Sequence, residues 1–138
     1  METNLDPEQL AQEYADFTKE CIRDFKRVDR TYFENAEQVL KKRFITKSRN
    51  ENLYVSIVDC IKNEINDRIS ATNILIAQDR YYYTEQAEEV KDALCEAIWC
   101  PKAAEKGLDV RLDDGTTDID TLDAFEYSFE RYINTLIK

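Results

Sequence analysis

Three aspartates, Asp118, Asp120 and Asp123, fall within a turn and a half of one expected helix near the end of the chain. The i, i+3 spacing puts Asp120 and Asp123 on one face. Close carboxylates repel unless a cation or water answers them, and hard divalent ions such as Mg²⁺ and Mn²⁺ take oxygen ligands of this kind. A purely structural reading is also open: Asp118 and Asp120 fit a first helical turn, where the helix dipole favours negative charge. That reading does not reach Asp123, which lies beyond the first turn beside Leu122 and Phe125. Glu34 follows the apolar run Thr31-Tyr32-Phe33 and precedes a helical stretch. Acids at the carboxyl ends of strands serve metal-dependent sites in open α/β sheets; a solvated turn residue is the plainer reading.

Lys41, Lys42, Arg43, Lys47 and Arg49 crowd five cations into nine positions of an otherwise acidic chain. Such a run suits a phosphate backbone, a positional and sequence-blind role, or simply a solvated face. Tyr81-Tyr82-Tyr83 offers rings on which bases stack, or a strand with aromatics packed on both sides. The four cysteines, at 21, 60, 95 and 100, form no Cys-x-x-Cys pair and read as reduced, mostly buried small apolar residues. With no histidine, Ser-His and Cys-His catalysis and His-ligated zinc are excluded. Two glycines are too few for a phosphate-cradling loop, which needs several positions without a Cβ.

The elements that must position these groups belong to 138 residues with a net charge of −10 and 43% apolar content, enough for one domain with a core. The acidic balance argues against polyanion binding by the whole surface. The opening Met1–Asp6 is acidic and lacks an apolar core segment, so no signal peptide is expected. Asp6-Pro7 predicts a helix start, with Leu10, Tyr14, Phe17, Cys21 and Phe25 as its buried stripe. Thr31–Phe33 predicts a strand, Ala36–Phe44 a helix, 47–52 a loop and Leu53–Val58 a buried strand. A helix from Ile61 to Ile76, a strand over Arg80–Tyr83 and a Thr84-capped helix ended by Pro101 follow. Residues 101–117 read as irregular, and Thr117 as the cap of a last helix running to Leu136. The alternation predicts an α/β fold with parallel strands.

One stretch carries more than pattern. Ile98-Trp99-Cys100-Pro101-Lys102, then Arg111-Leu112-Asp113-Asp114-Gly115-Thr116-Thr117-Asp118-Ile119-Asp120-Thr121-Leu122-Asp123-Ala124-Phe125-Glu126-Tyr127, resembles the C-terminal end of phage terminase large subunits of the PBSX-like group. Tyr32-Phe33-Glu34-Asn35-Ala36-Glu37 and Ile61-Lys62-Asn63-Glu64-Ile65 are similar to earlier segments of the same family, so the likeness runs from about Leu10 to Ile137.

The resemblance implies a helix-rich RNase H-like nuclease domain, truncated at its N-terminus, acting in viral DNA packaging. It would cut concatemeric double-stranded DNA with two Mg²⁺ or Mn²⁺ ions that activate a water and stabilise the leaving oxygen. Carried over by position, Glu34 and Asp123 are catalytic ligands, Asp120 is an added metal ligand and Lys62 a phosphate contact. Duplex viral DNA, the terminase small subunit and the portal are the implied partners, and a bacterial cytoplasm the implied compartment. The family's first ligand sits on a strand ahead of Leu10, where Met1–Gln9 has no counterpart. Loss of the opening strands would leave a sheet edge open to self-association. The rival readings are a non-enzymatic acidic phage protein, including a DNA mimic, and an ordinary α/β domain.

Overall fold

The computed structural model describes residues 5–137, which are helix-rich with a small parallel sheet. The chain forms two compact units, residues 1–60 and 61–138.

In the first unit, α1 (Pro7–Phe25) begins in a full capping box. The Asp6 carboxylate accepts from the Gln9 N–H at 2.8 Å, and the Gln9 side chain accepts from the Asp6 N–H at 3.0 Å. Two donors that the helix cannot satisfy are thereby paired. The helix buries Ala11, Ala15 and Thr18 rather than the expected aromatic stripe; Leu10, Phe17 and Phe25 stay exposed. Small side chains let α1 approach α2 (Gln38–Asn50) closely, and Tyr14 reaches across to stack on Phe44 with ring centroids 4.5 Å apart.

β1 (Arg30–Phe33), α2 and β2 (Ser56–Asp59) form one crossover, with the two strands parallel and Arg30 opposite Ser56 through Phe33 opposite Asp59. α2 runs six residues past its expected end at Phe44, through the polar stretch read as a loop. Nothing in Ile45–Asn50 breaks a helix, so polarity there marks a wet face rather than coil. The helix stops where Asn52 adopts φ +54°. Leu53 N–H then bonds Ser48 C=O at 3.0 Å and Asn52 N–H bonds Arg49 C=O at 3.2 Å, a Schellman stop. That stop consumes the front of the expected Leu53–Val58 strand, which begins only at Ser56.

In the second unit, α3 (Ile65–Ala77) ends the same way: Asp79 sits at φ +54° and Arg80 N–H bonds Leu75 C=O at 2.8 Å. Arg80–Tyr83 forms no strand, because Arg80 closes this cap, the Tyr82 hydroxyl donates to Asp79 C=O and Tyr81 packs edge-on against Phe125. A short 3₁₀ turn leads into α4 (Glu88–Glu96), which ends before Pro101; Pro101 instead opens α5 (Pro101–Ala104). An antiparallel bridge then pairs Trp99 with Arg111.

α6 (Ile119–Tyr127) is capped by Asp118, whose carboxylate accepts from Thr121 N–H at 3.1 Å. Thr117, the expected cap, donates its hydroxyl to Leu112 C=O instead. The last helix is broken: a 3₁₀ turn (Glu130–Tyr132) and α7 (Ile133–Leu136) follow α6. The Ser128 hydroxyl bonds Phe125 C=O at 2.6 Å and competes with the helical ladder at the break. Ala71, Phe129 and Ile133 form the apolar centre of this unit, with Phe125 against them. Among the described residues no helix is long and apolar enough to cross a membrane.

Candidate functional site

Asp123, Glu126 and Glu130 recur at i, i+3 and i+7 and therefore form one acidic stripe down α6 and the turn after it. Two guanidiniums meet that stripe, Arg68 from α3 and Arg111 from the bridge opposite Trp99. Arg111 holds Glu126 by both carboxylate oxygens, its Nη2 lying 2.7 Å from Oε2 and its Nη1 bonding Oε1. Arg68 Nη1 adds a third contact to Glu126 Oε1 at 3.2 Å. Glu126 is 1% exposed and Arg111 8%, so this is a buried fork-to-fork pair. The Arg111 guanidinium is raised above its ordinary pKa: burial opposes its charge, but the hydrogen bond to Glu126 and the negative charges of Glu126, Asp123 and Glu130 together outweigh it.

Asp123 is held more loosely. Arg68 Nη1 and Arg111 Nη1 approach its Oδ1 at 3.4 and 3.5 Å, long for charged hydrogen bonds. Its side chain is 32% exposed. Burial pushes the Asp123 carboxyl above its usual range, against the pull of Arg68 and with Glu126 adding to the rise. Glu130 is also pushed up by burial, although the Asn63 N–H donates to its Oε1 at 2.8 Å and lowers it in part. Its Oε2 and the Arg68 Nε are buried without a hydrogen bond. With all five side chains charged, three carboxylates face two guanidiniums and one negative charge is left over.

Asp120 lies one turn before Asp123 in the first turn of α6 and is exposed. Asp118 is the cap, and the Thr121 hydrogen bond holds its carboxyl below the usual range. A cavity of about 270 Å³ opens beside the Arg111–Glu126 pair, walled by Ile69, Leu94, Trp99 and Leu122. Lys62 places its ammonium 5.4 Å from the Tyr127 ring centroid.

In the first unit, Glu34 is exposed just past the carboxyl end of β1. The carboxyl end of β2 carries a second acid, Asp59, opposite Phe33. Asp59 accepts from Lys41 Nζ at 2.8 Å and Gln38 Nε2 at 3.2 Å, and the Lys41 bond holds its carboxyl below the usual range. The basic run on α2 is thereby divided. Lys41 serves Asp59, and Arg43 lies 3.7 Å from Glu8. Lys42, Lys47 and Arg49 have no carboxylate within ion-pair distance among the described residues. Glu34 and Asp123, the two acids expected to act together, belong to different units.

Sequence reasoning missed Arg68, Arg111, Glu126 and Glu130. A signal was present: acids three and seven residues after Asp123, interleaved with Leu122, Phe125 and Phe129, cannot all face water on a packed helix. Among the described residues no group of three or more acidic or cysteine side chains is arranged to hold a metal ion. No family model matches the chain, and neither a curated protein nor a solved structure matches it.

Proposed function

We propose that this chain is part of a terminase-type, RNase H-like nuclease domain that acts on double-stranded viral DNA with Mg²⁺ or Mn²⁺. The observation that carries the reading is the state of Asp123. Its Oδ1 is held at long range by two arginines, while its Oδ2 has no protein partner among the described residues. The carboxylate is thus oriented but half-open, with a residual negative charge around it and Asp120 one turn away. A hard cation at Oδ2 would polarise a phosphate oxygen or a water. Lys42, Lys47 and Arg49 are the cations left for duplex phosphates.

The test is supercoiled-plasmid nicking with Mn²⁺, run beside Mn²⁺ titration by thermal shift. Mn²⁺ is expected to raise the melting temperature of the wild type and not of Asp123→Asn, and whatever nicking occurs should vanish in that variant. No response of the wild type to Mn²⁺, with no nicking, would overturn the reading. Charge segregation favours the rival acidic-interaction reading: residues 61–138 hold seventeen acids against nine bases, residues 1–60 twelve against ten. An Mn²⁺-insensitive chain that competes with DNA for a basic protein would support it instead.

A further inference from the structure

Beyond the duplex-cutting reading, and without resting on it, we propose that Tyr54 and Arg49 form a site for one unpaired nucleotide of a single-stranded nucleic acid. The base would stack on the Tyr54 ring and its phosphate would lie on the Arg49 guanidinium.

Three observations meet at this place. First, Tyr54 adopts φ +53°, in the left-handed region where a bulky side chain is a genuine outlier. The neighbouring left-handed residue, Asn52, is accounted for by the helix stop it makes, whereas Tyr54 lies beyond that stop and closes no cap. Second, the strain serves no packing: Tyr54 is 91% exposed, while Leu53 before it is buried. A strained backbone that holds an aromatic ring out in water is a functional signature rather than a folding one. Third, the ring stands at the edge of a hollow of about 330 Å³ whose apolar floor is Ile45, Val55 and Ile57 and whose polar rim includes Arg49 and Asn52.

Charge selects the occupant. Acids outnumber bases in this chain, yet Arg49 has no carboxylate within ion-pair distance among the described residues. Lys42 lies seven residues earlier, on the same face of α2. With Thr46 between them, the two cations form a ridge that continues away from the hollow. An anionic ligand with a planar group fits ring, guanidinium and ridge together. A nucleotide supplies the plane and the first phosphate, and the next phosphates of a strand follow the ridge toward Lys42. Aromatic stacking and phosphate pairing are the terms that hold single strands without sequence preference. A paired duplex offers no free base face to Tyr54.

The experiment compares three probes by fluorescence anisotropy in EDTA at low salt: oligo(dT), an abasic oligomer of the same length and charge, and poly-glutamate as competitor. The wild type should prefer oligo(dT) over the abasic strand by about five-fold or more, the usual contribution of one stacked base. Tyr54→Gly should bring that ratio close to one while leaving abasic binding unchanged. Arg49→Gln should weaken both strands equally. Poly-glutamate should displace the abasic strand more readily than oligo(dT). Equal affinity of the wild type for the two strands, a preference that survives Tyr54→Gly, or no binding of either strand would each overturn the proposal. Because the assay contains no metal, a failed Mn²⁺ test at Asp123 does not affect its outcome.

Discussion

Arg111 holds Glu126 through both carboxylate oxygens in the interior of the second unit, reaching α6 from the antiparallel bridge at Trp99. A buried pair of this kind costs desolvation when it forms and is dangerous to break, because removal of one partner strands the other charge. Arg111→Ala is therefore expected to lower stability by about 3–5 kcal/mol, read as the unfolding midpoint in urea. Arg111→Met paired with Glu126→Leu should recover much of the loss. A single variant of wild-type stability would show that the pair is not desolvated.

Asp123 should behave differently from its neighbour. It is partly exposed and its contacts are long. Asp123→Asn is expected to cost well under half of what Glu126→Gln costs, measured by the same urea titration. Equal losses would mean that Asp123 is a structural member of the network.

Acid titration separates two sets of carboxyls. Glu130 and Asp123 have folded pKa values raised above their ordinary ones, first by burial. In the window between the ordinary and the raised value the folded state binds more protons than the unfolded state, so stability rises as pH falls through it. Asp59, Asp114 and Asp118 have folded values lowered by Lys41, Thr116 and Thr121 respectively. Their contribution is complete above the ordinary Asp value of 3.8 and is lost as pH falls below it. Stability of the second unit, followed by the fluorescence of Trp99, the chain's one tryptophan, should pass through a maximum on the acid side of neutrality. Glu130→Gln should flatten the rise. A monotonic loss from pH 7 downward would contradict this.

The two left-handed positions beside α2 give a further contrast. Asn52→Gly is expected to be nearly neutral, since Gly suits a Schellman stop. Tyr54→Gly should stabilise the chain by about 1 kcal/mol, the usual cost of a left-handed L-residue, while removing the ring proposed to stack on a base. A thermal melt checks both; a destabilised Tyr54→Gly would show that the ring packs after all.

What the sequence disclosed follows from how local each signal is. Asp6-Pro7 announced α1, and Thr31–Phe33 announced β1, because caps and short β-branched runs act through near neighbours. The face that α1 buries was misread: the Leu10–Phe25 stripe is larger, but Ala11, Ala15 and Thr18 permit the closer approach, and that choice depends on α2. Arg80–Tyr83 has strand-prone residues and, among the described residues, no strand beside it to pair with. At the site, Asp120 and Asp123 were visible as a pair. The arginines that meet Asp123 come from 55 and 12 residues away, beyond the reach of any local pattern.

The nuclease reading requires a divalent ion at Asp123. The most direct measurement is paramagnetic broadening of backbone amide signals by substoichiometric Mn²⁺. Selective loss of the signals of residues 119–124 is expected, reversed by EDTA and absent in Asp123→Asn. Broadening spread over the acidic surface with no focus on α6, or the same focus in Asp123→Asn, would contradict it.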